Sequence, residues 1–231
     1  MTQSGPGPRL QKLAENVWIA SQDHSWLGLR VGSRMTVVRL SNGRLWLHSP
    51  VAMSPRLREE LDALGPVAHI VCPNLYHHVY AGEAVEAYPN AMLHGPQGLR
   101  RKRKDLRFAA DLSDAPHPDW ASDLAPLTIK GSMLGETVFF HPASRTLITS
   151  DLVENFASSP HWPTRIYLKL TGLQGKITWG WPLRILYRDR KAARACIDRL
   201  LKWPFERVVI AHGDLILANA RESVERGMAW L

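Results

Sequence analysis

VAHIVCPNLYHHVY, residues 67–80, sets an apolar run against an abrupt stop and a pair of imidazoles. The segment from Val67 to Cys72 reads as a buried strand, with His69 a satisfied core histidine inside it. Pro73-Asn74 ends the strand, since proline cannot donate to a ladder and asparagine takes up turn geometry readily. His77 and His78 therefore fall just beyond the carboxyl end of a strand, ahead of a helix expected over about 79–88. Ligand and catalytic groups collect at that end of the strands in α/β sheets.

Toward the N-terminus, residues 16–20 read as a short strand, and residues 34–40 and 44–48 as a hairpin turned by Ser41-Asn42-Gly43. Ser54 caps a helix with Pro55 in its first position; Leu57, Leu61 and Leu64 share one face, and Gly65-Pro66 stops it. Beyond the imidazole pair, residues 91–94 form a further short strand. The second half is looser, with strands at 124–130, 137–141 and 146–149, the last two joined as a hairpin through Pro142-Ala143-Ser144-Arg145. A stretch rich in Pro and Trp, 158–182, follows with few regular elements expected. An amphipathic helix over 188–203, a strand over 207–211, a turn at His212-Gly213-Asp214 and a helix over 217–230 close the chain. Strands in both halves with helices between them fit two packed sheets flanked by helices in one α/β domain, 1–231.

The 231 residues, 45% of them hydrophobic, suffice for a full core. Charged residues at 22%, with 16 Gly and 16 Pro, exclude a disordered or collagen-like chain. Lys and Arg number 29 against 21 Asp and Glu, a formal charge of +8 that suggests anionic partners. Part of that excess is Arg100-Arg101-Lys102-Arg103-Lys104, read either as a solvated helix end or loop or as a phosphate contact. No aromatic stacking pattern accompanies it, so nucleic acid is not an expected partner. Cys72 and Cys196 lack CxxC spacing and read as small core residues, against a disulfide framework or a thiolate zinc site. MTQSGPGPRLQKLAENVW, residues 1–18, has no apolar leader, and no run approaches the roughly 18 apolar residues of a membrane span. A cytoplasmic protein is expected.

Four positions follow apolar strands: His77, His78, Asp151 and His212. Imidazoles and a carboxylate at adjoining strand ends are ligands that zinc or iron(II) takes at roughly 2.0–2.2 Å, leaving one position for water. Each alone has a plainer reading: a strand-end histidine is commonly a hydrogen-bonded turn residue, and Asp151 fits a helix N-cap. His141 reads as a turn residue, and Glu136 with Arg145 as a cross-strand pair. Trp162, Trp179 and Trp181 cluster with Tyr167. They read as a lid over the site, a homodimer contact, or packing for an irregular stretch.

RMTVVRLSNGRLWLHSP (34–50), CPNLYHH (72–78), TVFFHPASRTLITSDL (137–152) and AHG (211–213) carry a family resemblance over about residues 13–230. They resemble a branch of the metallo-β-lactamase superfamily termed domain of unknown function 4336. The resemblance implies an αβ/βα four-layer sandwich, two mixed sheets flanked by helices. The superfamily pattern is H-x-H-x-D-H at a strand end, then a Gly-His turn, a bridging Asp and a last His. Aligned on the final His of the first motif, His78 takes that place and His77 the place of the Asp, while Pro73 and Leu75 replace the first two histidines. Ser132, within Gly131-Ser132-Met133-Leu134-Gly135, replaces the turn histidine; Asp151 matches the bridging Asp and His212 the last His. Neither Pro73 nor Leu75 has a zinc donor, so the first metal site is expected to be absent.

The second site is expected to persist as His77, His78, Asp151 and His212, although a shift of one or two residues would make Asn74 the strand-end polar group. His48 falls where the family's first sheet turns toward the site, giving it a place beside the ligands. The resemblance thus implies a mononuclear metal-dependent hydrolase, with one divalent ion, zinc or iron, acting on a small molecule of anionic character. The alternatives are a metal-free binding or scaffold protein on a degenerate enzyme fold, and redox chemistry at a non-haem iron.

Overall fold

The computed structural model describes residues 7–231; the first six residues, part of the N-terminal stretch read above, lie outside the described residues. The N-terminal half opens with β1 (Leu10–Ala14), β2 (Val17–Gln22), the short pair β3 (Ser25–Trp26) and β4 (Leu29–Arg30), β5 (Ser33–Arg39) and β6 (Leu45–His48). It continues through α1 (Pro55–Leu64), β7 (Val67–Val71), α2 (Ala81–Ala87), β8 (Met92–Gly95), α3 (Gln97–Lys102) and β9 (Ala110–Asp111). The C-terminal half holds β10 (Ala125–Thr128), β11 (Thr137–His141), β12 (Thr146–Ile148), β13 (Glu154–Asn155), α4 (Trp162–Leu170) and β14 (Ile177–Thr178). It ends with α5 (Arg190–Leu200), β15 (Arg207–Val209) and α6 (Ala220–Gly227).

Seven strands form one sheet in the order β1-β2-β5-β6-β7-β8-β9, antiparallel up to β6 and parallel beyond it. Four form a second, β10-β11-β12-β15, whose last pair is parallel. Alternation along the strands divides the core. Trp46, Val71, Phe139 and Ile148 meet between the sheets, Trp46 and Phe139 edge to face at 4.8 Å between ring centroids. On the outer face of the first sheet, Leu47 and Ile70 pack against Leu57 and Leu61 of α1. On that of the second, Val138 and Val208 pack against Ile197 and Leu200 of α5 and Val224 of α6. This is the expected αβ/βα four-layer sandwich.

Local chemistry matches several expectations. Ser54 caps α1 by accepting from the Leu57 N–H, with Pro55 in the first turn. The hairpin through Ser41-Asn42-Gly43 pairs β5 with β6. Elsewhere tertiary contacts override the pattern. The closing helix begins at Ala220 rather than Leu217, because Ile216 and Val208 exchange backbone hydrogen bonds and hold the preceding residues extended. The stretch 158–182 is more regular than expected and contains α4 and β14. Within it Trp179 is core, while Trp162 and Trp181 are exposed. Glu136 does not pair with Arg145; Arg145 meets Glu206 on the surface, and Glu136 is buried.

Candidate metal centre

Three strand ends converge above the sandwich. After β7 the chain turns at Asn74, whose side chain is buried and whose Oδ1 accepts from the N–H groups of Tyr76 (2.8 Å) and His77 (2.9 Å). That side-chain turn aims His77 inward. Ser49, just past β6 in a left-handed conformation (φ 54°), places its hydroxyl 2.7 Å from His77 Nδ1. Asp151 follows β12, and the buried carboxylate of Glu136 accepts from the N–H groups of Ser150 (2.7 Å) and Asp151. Asn74 Nδ2 donates to Asp151 Oδ2 at 2.7 Å, leaving Oδ1 facing the histidines.

His212 follows β15. Its Nδ1 lies 2.7 Å from the Gly32 carbonyl, which can only accept, so Nδ1 carries the proton and Nε2 of the neutral ring is bare. Gly213 beside it has φ 73°, and a Cβ there would lie 2.1 Å from the Asn155 carbonyl oxygen. The AHG turn therefore requires glycine.

Ligand atoms of His77, Asp151 and His212 all lie within 4.8 Å of one another. His77 Nε2 is 3.2 Å and His212 Nε2 3.6 Å from Asp151 Oδ1. Two atoms each about 2.0–2.1 Å from a tetrahedral ion lie about 3.3–3.4 Å apart, so these spacings suit a metal with room for water as a fourth ligand. Partners at the far ring nitrogens, Ser49 and Gly32, orient the rings as outer groups do around bound metals. The donor set of two imidazoles and a carboxylate fits zinc or iron.

His78 is not in this group. Its Nδ1 accepts from the Arg103 guanidinium at 3.1 Å, and a second Arg103 bond, 2.8 Å, goes to its carbonyl. Arg103 comes from the basic run, which is thus not merely solvated: Arg100 pairs with Asp111, and Lys102 donates to the Leu75 carbonyl and lies over the Tyr76 ring. Pro73 and Leu75 serve as packing and backbone: the Pro73 carbonyl accepts from Thr137, and Leu75 lies against Gly98. Ser132 Oγ accepts from the Leu134 N–H within its own turn.

Burial and mutual charge set the electrostatics. Burial lowers His212 to about 4, assisted by the charge of His77. Burial would also lower His77, but the Asp151 carboxylate outweighs it and the ring is raised. Asp151 is held low despite burial because His77, His212 and the Asn74 amide stabilise its charge. Glu136 is pushed up by burial and by Asp151. His48, buried and stacked on Trp46, is driven down to about 3 chiefly by burial.

A cavity of about 480 Å³ opens over the group, within the range of small-molecule sites. Its walls are largely apolar and aromatic, including Trp26, Val31, Tyr80, Phe156 and Trp179, with Glu154 among them. One carboxylate oxygen of Glu154 is buried without a partner, and burial raises this group to about 8. Glu154, Ser49, Gly32 and Glu136 carry no motif in the sequence; only contacts across the fold reveal them.

His69, His117 and Asp119 form another converging group, on the face of β7 toward the second sheet. His69 is fully buried, its Nδ1 3.2 Å from His94 Nε2, while its Nε2 lies 3.3 Å from Asp119 Oδ2 without the alignment of a hydrogen bond. The expectation of a satisfied core histidine is therefore only half met. This group closes on itself, since Arg44 donates to Asp119 Oδ2 at 2.6 Å and His117 Nδ1 accepts from the Asp119 N–H.

Fold and strand-end group together define the class: the chain has the metallo-β-lactamase fold. Residues 14–98 match the family model described as Domain of unknown function (DUF4336). A metallo-β-lactamase from Pontibacter korlensis is 17% identical and superposes with a TM-score of 0.67, covering 96% of this chain and 97% of that one. The metallo-β-lactamase FIM-1 from Pseudomonas aeruginosa in the mono-zinc form is 11% identical, with TM-score 0.65 and 99% and 97% of the chains covered. The metal-soaked Flv1 flavodiiron core from Synechocystis sp. PCC6803 is 12% identical, with TM-score 0.64, covering 97% of this chain and 61% of that one. No curated protein matches the chain. No helix among the described residues is long and apolar enough to cross a membrane.

Proposed function

We propose that this chain is a metal-dependent hydrolase working with one ion, zinc or iron, held by His77, Asp151 and His212. The carrying observation is the spacing of three donor atoms from three strand ends, 3.2 and 3.6 Å about Asp151 Oδ1. His78, four residues past Asn74, belongs to the cavity wall in this reading rather than to the ligand set. The mono-zinc form of FIM-1 is a precedent for one ion on this fold. When bound, the metal lowers the pKa of its water from 15.7 to about 7 and supplies the nucleophile.

The chain's own residues do the rest. Ser49 and Gly32 fix the two rings, while Asn74 holds the Asp151 carboxylate and Glu136 its backbone N–H. The apolar cavity excludes bulk water and takes the apolar part of a substrate. Glu154, neutral at neutral pH, is placed in the wall to donate a proton to a leaving group. Lys102 at the cavity supports a substrate with an anionic group. The buried, unpaired Cys72 and Cys196 fit the cytoplasmic placement.

One observation favours the metal-free binding-protein reading: His77 Nε2 lies 3.2 Å from Asp151 Oδ1, and that carboxylate raises the affinity of the ring for a proton. Metal analysis of protein purified without a histidine tag separates the two. We expect close to one equivalent of zinc or iron after reconstitution, lost in His212→Ala. Less than about a tenth of an equivalent, unchanged by reconstitution, sinks the hydrolase proposal.

A further inference from the structure

The large apolar side chains left exposed are not scattered. Trp26, Tyr76 and Val79 line the cavity, and Leu27, Trp162, Ile166, Leu170, Trp181 and Ile185 sit on segments that also supply lining residues, Trp26, Tyr167, Leu183 and Leu186. On α4, Trp162, Ile166 and Leu170 recur every four residues and form one stripe, 65%, 48% and 73% exposed. Trp181 extends the stripe, its indole N–H donating to the Leu170 carbonyl at 2.9 Å, and Ile185 follows it. The β3–β4 hairpin leans on the same helix, with the Arg30 N–H bonded to Thr164, and puts Trp26 into the cavity wall.

The tip of that hairpin is telling. Leu27 has φ 47° and Gly28 φ 80°, the geometry of a turn that favours Asn-Gly. Leucine is disfavoured there, yet it stands 82% exposed. Neither folding nor solubility accounts for that choice.

Charge names the occupant. From residue 156 to residue 188 the sequence holds Arg165, Lys169, Lys176, Arg184 and Arg188 and no Asp or Glu. Arg165 and Lys169 flank the apolar stripe on α4 and are exposed. An apolar stripe bearing Trp, edged by cations and free of acids, is the pattern of segments that lie in a membrane interface. A second copy docked through the same stripe would bring Arg165 and Lys169 toward their own like charges.

We propose that this face docks on an anionic lipid bilayer, with Leu27, Trp162, Leu170 and Trp181 entering the interface and the cavity opening toward the lipid. Joined to the hydrolase reading above, on which this clause alone rests, the substrate is an amphiphile whose apolar chain passes from bilayer to cavity.

Sedimentation with vesicles tests the docking without any assay of hydrolysis. Vesicles of phosphatidylcholine alone are compared with vesicles in which about a quarter is phosphatidylserine, at low and high salt. The phosphatidylserine vesicles should retain the protein, less so at high salt, with a blue shift of tryptophan emission. Leu27→Asn suits its turn better and should fold at least as well, which thermal unfolding checks. Combined with Trp162→Ala and Leu170→Ser it should weaken binding more than about tenfold. Arg165→Glu with Lys169→Glu should abolish the preference for phosphatidylserine. Binding unaffected by these changes overturns the proposal. So does failure to bind either vesicle, whether the chain is monomeric or forms a dimer that the same substitutions dissociate. Loss of metal by His212→Ala should leave vesicle binding intact, so the two proposals fail separately.

Discussion

Asn74→Ala removes the side chain that ties the β7 turn to Asp151. The Nδ2 bond to a carboxylate, 2.7 Å long and fully buried, is of the charge-assisted kind worth about 1.5–3 kcal/mol. The two N–H groups of Tyr76 and His77 lose their acceptor as well, at about 0.5–1.5 kcal/mol each. The sum is a loss of about 2.5–6 kcal/mol, against a whole stability of about 5–15 kcal/mol for a typical domain. Denaturant unfolding of the metal-free protein measures it. With His77 no longer aimed, affinity for zinc should fall about 10–100-fold, read by competition with a chromophoric chelator. Asn74→Asp separates the two jobs: it keeps the turn but sets a second carboxylate against Asp151, so it should bind a proton above pH 5 that the parent does not. If Asn74→Ala costs less than about 1 kcal/mol and zinc affinity is unchanged, the reasoning that Asn74 assembles the site is wrong.

Acidification should destabilise the protein. His48 and His94 are each pushed down to about 3 by burial, from 6.5. The unfolded chain therefore takes up two protons that the folded one refuses, so this stability is present above pH 6.5 and lost as pH falls toward 3. By pH 5 the loss is about 4 kcal/mol, and a urea midpoint equal at pH 7 and pH 5 would refute it. Gly213→Ala should cost more than about 2 kcal/mol, seen as a lower Tm, because its Cβ meets the Asn155 carbonyl at 2.1 Å and its φ is 73°. Arg103→Ala should raise His78 from about 4, where burial, Lys102 and Arg103 hold it. Proton NMR titration measures that shift, and an unmoved His78 contradicts the contact.

The three readings of His77, His78 and Asn74 show how far a strand-end motif carries. Their place beyond an apolar strand followed from VAHIVC and Pro73 alone. Which of them turns inward did not, because adjacent residues in a turn differ by contacts with distant segments: Ser49 for His77, Arg103 for His78, Asp151 for Asn74. The basic run was equally ambiguous. Its cations brace the loop through Leu75 and His78, a role that depends on α3 folding back beside that loop.

The layered fold was therefore legible in the sequence, since apolar periodicity, caps and turn residues are local and each strand or helix must bury one face. Ser54-Pro55 starting α1 and Ser41-Asn42-Gly43 turning the hairpin act within a few residues of themselves. Asp151 and His212 could be placed at strand ends for the same reason. Their distances, the Asn74 and Glu136 clamps on Asp151, the partnerless oxygen of Glu154 and the ring of exposed apolar side chains belong to the tertiary structure. They depend on how distant segments meet, from 15 residues apart for Glu136 and Asp151 to 180 for Gly32 and His212, and no local pattern encodes such a meeting.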